Sequence, residues 1–181
     1  MDFSLSLDIM IRQFIFWGLL FFSIATFGQS ISKRYSTHLN TSGVVYFFTP
    51  QKVTKGEKGY SLEYDMTYVT NTDSITVNLT LKSPKSERIK LLSLRNSSDS
   101  VWSDKLKLFY VDKISKGYEF RIHTTLLFSD IKKMFRSPEA LEFSLVQGDQ
   151  TLNFGYANRS WKKEMKCMED IFNLIKIQDY E

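Results

Sequence analysis

The chain carries two histidines, His38 and His123, and His123 is the candidate for acid–base chemistry. In the predicted strand over residues 118–127, His123 shares one face with Glu119 and Arg121. A histidine held by a carboxylate is a common general base in hydrolases. The chain has no Gly-x-Ser-x-Gly sequence to supply a serine nucleophile at a strand-to-helix turn. We therefore interpret His123 as part of a solvated strand face, and a hydrolase with an unrecognised site around His123 stays as an alternative.

The single cysteine, Cys167, raises the question of a reactive thiol or of a bridge between chains. Lys163 and Lys166 nearby would favour the thiolate form. On a helical wheel, however, Cys167 falls beside Ile171 and Leu174 on the apolar half of a predicted C-terminal helix. A free cysteine on such a face commonly packs as a small apolar side chain. We interpret Cys167 as a packing residue, and one cysteine excludes an intrachain disulfide.

Sequence motifs for metals and cofactors are missing from the chain. It contains no Cys-x-x-Cys, no His-Glu-x-x-His and no EF-hand loop, and its eight glycines are scattered rather than clustered around a phosphate. Glycosidases use two carboxylates that face each other across a cleft. Glu63 and Asp65 are a candidate pair, because they lie on the polar face of one predicted strand. Such pairs are common on exposed faces. We predict no catalytic residue, no metal site and no cofactor.

Basic residues form two groups that predict an anionic partner. The groups are Lys132, Lys133 and Arg136 on a short predicted helix, and Arg159, Lys162, Lys163 and Lys166 at the start of the last helix. Together they would contact an anionic glycan, a lipid surface or an acidic protein, although solvated helix faces explain them equally well. The net charge of +4 and the lack of a basic-aromatic strand motif argue against nucleic acid.

An uncharged apolar run of fourteen residues, from Phe14 to Phe27, precedes all of these groups. It is shorter than the about 20 residues that a transmembrane helix needs, and it fits the apolar region of a secretory signal. Thr26 and Gly28 supply small residues for cleavage. We predict a signal peptide over residues 1–28 and a mature protein in the periplasm, at the cell surface or outside the cell. The alternative is that the segment is not cleaved and anchors the chain in a membrane, which is the only membrane insertion that we predict.

The residues before the apolar run are acidic, which is unusual for a signal peptide. Asp2 and Asp8 outnumber Arg12, whereas a chain that begins at Met10 keeps Arg12 as its one charged side chain before the run. We therefore hypothesise that Met10 is the true start.

Strand patterns dominate the rest of the chain. Residues 60–68 and 75–81 alternate apolar and polar side chains around a polar turn, which predicts an antiparallel hairpin. Further strands are predicted at residues 44–48, 88–95, 106–111, 118–127, 141–146 and 151–156. Residues 29–42 are interpreted as a polar lead-in, and residues 96–104 as a polar loop.

Two helices complete the predicted elements. Ser129 is a good N-cap for a short helix through Arg136. Residues 160–177 form an amphipathic helix in which Glu164 is the one charge on the apolar half, placed by this prediction in the first turn, where a carboxylate suits the helix dipole. We predict one mainly β (α+β) domain over residues 43–181: an antiparallel β-sandwich or curved sheet, with the short helix and the C-terminal amphipathic helix packed on it.

These features predict an exported, non-enzymatic binding domain whose ligand is not specified by sequence. The partner would be a protein or an anionic glycan or lipid surface. The first alternative is a structural or assembly component of a cell-envelope complex, in which the last helix or an exposed sheet edge docks another chain. The second alternative is a hydrolase with an unrecognised site around His123.

Overall fold

The computed structural model describes residues 31–178, so the predicted signal segment and Met10 lie outside the described residues. Residues 31–34 form a turn in which the Arg34 amide donates a hydrogen bond to the Ile31 carbonyl over 2.8 Å. The strands and helices of the described residues all belong to a separate unit that begins at Tyr35. Within residues 31–178, no helix is long and apolar enough to cross a membrane.

The unit contains eleven strands and two helices in the described residues. In chain order they are β1 (Tyr35–Asn40), β2 (Gly43–Phe48), β3 (Gln51–Lys52), β4 (Ser61–Val69), β5 (Ser74–Ser83), β6 (Ile89–Arg95), β7 (Ser100–Ser103), β8 (Lys107–Ile114), β9 (Gly117–Leu127), α1 (Phe128–Arg136), β10 (Glu142–Gln147), β11 (Gln150–Gly155) and α2 (Asn158–Gln178). Sheet A has the order β1-β2-β4-β5-β9-β8, with β3 beside β4, and sheet B has the order β11-β10-β6-β7. Every pairing is antiparallel.

The centre of sheet A is the predicted hairpin, which the structure confirms as β4 and β5. Tyr64 lies opposite Leu79, and both side chains are buried on the inner face, while the neighbouring pair Asp65 and Asn78 lies on the outer face. The connecting turn contains Asn71 at a φ of 65°, a left-handed conformation that asparagine tolerates. β9 then pairs with β5 over ten residues of each strand. The period of two therefore gives the three central strands one apolar face and one polar face.

Sheet B and both helices cover the inner face of sheet A. The Tyr64 ring on β4 lies 5.1 Å from the Phe143 ring on β10, measured between ring centroids. Towards the other end of sheet A, Phe128 on α1 stacks on Tyr68 at 3.9 Å, and Phe172 on α2 lies 6.4 Å from Phe48. Two antiparallel sheets and two helices thus share one core, which confirms the predicted mainly β sandwich with a packed C-terminal helix.

The C-terminal helix packs as predicted except for Leu174, which is 38 % exposed, and for the role of Glu164. Trp161, Ile171 and Phe172 are buried on its apolar face. Glu164 is the seventh residue of the helix, because α2 begins at Asn158, so its placement in the first turn was wrong. The carboxylate is buried, at 5 % exposure, and accepts a hydrogen bond of 2.8 Å from the Tyr64 hydroxyl. Burial and the negative charge of Glu164 raise the pKa of Tyr64, so this hydroxyl stays a donor.

Two predicted irregular segments contain strands. β1 lies within the predicted polar lead-in, and β7 lies within the predicted loop over residues 96–104. The side chains of β1 are mostly exposed, and β7 has four residues. Both strands form through backbone pairing with β2 and β6, so they bury few apolar side chains and leave little hydrophobic pattern in the sequence.

The short helix begins two residues earlier than predicted. Its N-cap is Leu127, without a side-chain cap, rather than Ser129. β9 runs directly into α1, and the Phe128 amide donates a 2.7 Å hydrogen bond to the Asp73 carbonyl across the sheet. The tertiary partner replaces the side-chain cap.

The Tyr64–Glu164 hydrogen bond predicts a specific stability pattern. Replacing Glu164 by Ala leaves a buried tyrosine hydroxyl without its acceptor, so we expect the free energy of unfolding to fall by about 1–3 kcal/mol. Glu164→Gln keeps an acceptor oxygen and should lose less. The matched control is Glu169→Ala, on the exposed side of α2. Urea unfolding followed by circular dichroism measures all three, and equal losses for the Ala and Gln variants at position 164 would contradict this account.

Candidate functional site

Three of the seven predicted basic residues line one groove beside α1. The groove encloses about 670 Å³ and is lined by Lys132, Lys133 and Arg136 together with Asp73, Asp99 and Ser129, among others. We call it the α1 groove. It forms because α1 follows β9 without a loop and therefore lies next to the turn after β4 and to the segment before β7.

The cations of the α1 groove differ in how they are held. The Lys133 ammonium pairs with the Asp99 carboxylate at 2.6 Å, and this partner raises the pKa of Lys133. Arg136 donates a 3.2 Å hydrogen bond to the Asn173 side chain of α2. The Lys132 ammonium lies 5.7 Å from the centre of the Phe128 ring, a cation–π distance. Asp73 and Asp99 offset part of the positive charge, so the groove is only moderately cationic.

The other four predicted basic residues do not line the α1 groove. Arg159, Lys162, Lys163 and Lys166 are exposed along the first half of α2. The structure therefore divides the predicted patch into a groove and a separate helix face. Cys167 is half-buried on the same helix.

Sequence reasoning missed one motif in the α1 groove. Ser129 and Lys132 have the Ser-x-x-Lys spacing of certain acyl enzymes, and both line the groove. Ser160 and Lys163 on α2 have the same spacing, so the pattern is not specific by itself. Such chemistry needs the lysine amine within hydrogen-bond reach of the serine. Here the Lys132 ammonium lies over the Phe128 ring.

The outer face of sheet A carries a hydrogen-bonded polar network across β4, β5 and β9. Arg121 pairs with the Asp65 carboxylate and donates a 2.8 Å hydrogen bond to the Thr80 hydroxyl. The Asn78 amide donates to the other carboxylate oxygen of Asp65 over 2.7 Å. Asp65 and Asn78 are each only 8 % exposed. This part of the face is a closed network that ties three strands together.

His123 lies beside this network but is not bonded to a carboxylate. Its Nδ1 atom is buried without a hydrogen-bond partner in the described residues, and the Phe109 ring covers it with 4.2 Å between ring centroids. Burial and the positive charge of Lys107 lower the pKa of His123. The solvated face predicted for this residue was therefore only partly right, because Phe109 shields the ring.

The hydrolase alternative receives no support from this geometry. Glu119, the carboxylate on the same face, pairs with Lys82 at 3.3 Å and accepts a 3.1 Å hydrogen bond from Tyr110. It does not orient His123 as a catalytic carboxylate would. Among the described residues, no cluster of histidine, cysteine or carboxylate side chains is arranged to hold a metal ion.

The most unusual surface in the described part of the chain is the free side of β8, which we call the β8 edge. β8 pairs only with β9 in the described residues, and it ends sheet A. Four consecutive large side chains are exposed there: Leu108 by 54 %, Phe109 by 59 %, Tyr110 by 40 % and Val111 by 44 %. A long apolar edge strand is a template for pairing with another chain, and proteins normally protect such edges.

The other strands that end the two sheets are better protected. β1 has six residues with a largely polar sequence, and β7 has four residues. β11 has six residues, and its last residue Gly155 exchanges two 2.8 Å backbone hydrogen bonds with Lys55. β8 has eight residues, with an apolar centre between Lys107 and Asp112. It is the edge with the most apolar surface.

A small apolar pocket lies on the inner side of β8, and we call it the β8 pocket. It holds about 160 Å³ and is lined mainly by Leu106, Leu108, Val111, Phe120 and Ile122. This volume is close to that of known apolar cavities of about 150 Å³ that accept a benzene-sized group. The β8 pocket and the β8 edge share Leu108 and Val111, so they form one apolar surface.

The sequence contained a signal for the β8 edge that pattern reading alone misses. Residues 108–111 are apolar or aromatic on both faces, a pattern typical of a strand buried on both sides. The structure places this strand at an edge, with both faces exposed. The segment therefore has the sequence of a buried strand in an exposed position. Such a discrepancy is expected at functional surfaces.

Comparisons of the chain with protein-family models, with curated proteins and with solved structures gave no match. The functional interpretation therefore depends on the surfaces described above.

The surroundings of His123 predict its titration. Its folded-state pKa should lie below the ordinary value of 6.5, so the unfolded chain takes up the proton first and stability falls as the pH drops below about 6.5. Lys107→Ala removes a repelling charge and should raise the pKa of His123, whereas Lys90→Ala, in sheet B, should not change it. NMR titration of the His123 ring measures this. A pKa at or above 6.5 in the unsubstituted chain would contradict the shielded position.

Proposed function

We propose that the chain is an exported, non-enzymatic binding domain that docks an extended protein segment along the β8 edge. The single observation that carries the proposal is the run of four exposed large side chains, residues 108–111, on the longest strand that ends either sheet. Export is a part of the proposal that depends on the predicted signal over residues 1–28.

Strand addition explains why this edge is apolar. An added strand would pair with the free backbone N–H and C=O groups of β8 and extend sheet A. Its side chains would cover Leu108 and Val111 on the inner face and Phe109 on the outer face. Removing such side chains from water is favourable by about 25 cal/mol for each Å² of apolar surface. The β8 pocket would receive one apolar side chain of the added segment.

Charges at the ends of β8 fit a specific partner better than indiscriminate aggregation. Lys107 precedes the apolar centre, and Asp112 and Lys113 follow it. Charges on an edge strand discourage uncontrolled pairing, because a partner that does not match them leaves like charges opposed. A partner with complementary charges at the same spacing would be selected. These features support an assembly role for the domain, which is the first alternative from the sequence.

The proposal predicts site-specific cross-linking in the cell. A photo-reactive phenylalanine at position 109 should give a covalent adduct with a protein, because Phe109 is exposed at the β8 edge. The matched control is the same group at position 39 on β1, since Leu39 is 76 % exposed on the other end of sheet A. Val111→Lys should abolish the adduct while circular dichroism stays unchanged. No adduct at position 109, or equal adducts at positions 109 and 39, would contradict docking at this edge.

A second candidate function is recognition of an anionic surface by the α1 groove, favoured by the lining of Lys132 and Arg136. Each lysine or arginine near an anionic membrane contributes about 1 kcal/mol, or about fivefold in affinity. The probe is a phosphatidylcholine vesicle with added phosphatidylglycerol. Lys132→Gln with Arg136→Gln should weaken binding much more than Lys162→Gln with Lys163→Gln on α2. Equal losses for both pairs would contradict a groove-specific site.

A further inference from the structure

We infer that the occupant of the β8 edge is a second copy of this chain, with β8 paired antiparallel to β8 around a two-fold axis. The inference rests on the proposed function, since it names the partner of the same edge. A two-fold axis pairs each residue of the edge with a residue of the same strand, so the sequence of β8 must be complementary to itself.

The charges of β8 are self-complementary in one register. Lys107 lies opposite Asp112 of the second copy, and Asp112 lies opposite Lys107 of the second copy. Between these two ion pairs, Leu108 lies opposite Val111 and Phe109 lies opposite Tyr110, each pair occurring twice by symmetry. Opposite charges and apolar or aromatic pairs directly across two strands stabilise a sheet. The segment from residue 107 to residue 112 thus presents a favourable partner at all six positions.

The pairs of this register also lie on matching faces. Leu108 and Val111 are both on the inner face, opposite Ile122 and Phe120 of β9. Lys107 and Asp112 are both on the outer face, opposite His123 and Glu119. In a sheet that continues from one copy to the other, each proposed pair therefore meets on one side of the sheet.

The irregularity in the middle of β8 fits the same axis. The pairing of β8 with β9 shifts between Leu108 and Tyr110, so Phe109 is the extra residue. Phe109 covers His123, and Tyr110 bonds to Glu119, so both side chains lie on the outer face. The two-fold axis passes between these two residues, and the bulge of one copy meets the bulge of the other.

Other registers lose this match. A slide by two residues would place Leu108 against Lys113 of the second copy and Tyr110 against Val111, whose side chains lie on opposite faces of the sheet. A slide by one residue would place Lys107 against Lys113 and Leu108 against Asp112. This one-residue slip pairs side chains that lie on opposite faces of the sheet, except for Tyr110, which would lie opposite Tyr110 of the second copy. The register with Lys107 opposite Asp112 is therefore the one that β8 selects.

The β8 pocket supports the same occupant. In this register, Leu108 and Val111 of the second copy lie on the inner face beside Leu108 and Val111 of the first, which line the pocket. Each copy thus supplies apolar side chains next to the pocket of the other, as a self-complementary two-fold interface requires.

Exchange of charges tests this inference. In sedimentation velocity of the purified chain, we expect a dimer that Asp112→Lys or Lys107→Asp alone weakens by about tenfold or more, because each places like charges across the axis twice. The double variant K107D/D112K restores both ion pairs and should regain the dimer. An equimolar mixture of the two single variants should form a mixed dimer. Lys116→Asp, in the exposed turn before β9, alters net charge equally and should leave the dimer intact.

A chain that stays monomeric at all concentrations would overturn the inference, as would a dimer that neither single variant weakens or a double variant that does not recover. Circular dichroism checks that each variant is folded. A monomeric chain whose position 109 cross-links to a different protein overturns only the choice of partner, and docking at the β8 edge stands. A monomeric chain without any cross-link overturns both the choice of partner and the proposed function.

Discussion

The apolar face shared by β4, β5 and β9 has to be removed from water, and the rest of the unit is arranged around this constraint. Leu62, Leu79 and Ile122 on this face are almost completely buried. Sheet B and the two helices provide the cover, through aromatic contacts such as Tyr64 with Phe143. Sheet B has four strands, whereas sheet A has six in its main order and extends one strand beyond β9. β8 is that strand, so its inner face receives only partial cover, which leaves an apolar pocket and an apolar edge.

The polar groups of sheet A separate the structural part of the surface from the part that is available for a partner. On the outer face, Arg121, Asp65 and Asn78 satisfy one another, and this network fixes β4, β5 and β9 relative to each other. Buried polar groups that are fully paired stabilise one arrangement rather than attract a ligand. Beyond the network, Phe109 covers His123 and Tyr110 donates a hydrogen bond to Glu119, yet both side chains remain exposed. Their exposure next to a fixed sheet presents an edge that needs little reorganisation to accept a strand.

The sequence predicted the fold where side-chain periodicity is the cause of the structure, and it failed where backbone pairing or a distant partner is the cause. The strands that contain Tyr64 and Leu79 could be predicted, because their inner-face residues are apolar and buried at every second position. β1 forms without such burial, so its residues show no pattern. A helical wheel places Glu164 on the apolar half of its helix, but it does not reveal the hydrogen bond to Tyr64, because Tyr64 lies 100 residues away in the sequence. The sequence of β8 predicted a strand, but no local pattern tells an edge strand from a central one, and the candidate surface depends on that distinction.

Hydrogen exchange of the β8 backbone at increasing protein concentration tests the central claim, that this edge pairs with another strand from a second copy. We expect the amides of residues 107–112 that point away from β9 to exchange more slowly as the concentration rises, because these N–H groups become bonded to the second copy. The amides of Tyr35–Asn40, at the other end of sheet A, serve as the internal reference and should exchange at a constant rate. Exchange in β8 that is as independent of concentration as exchange in β1 would contradict the account.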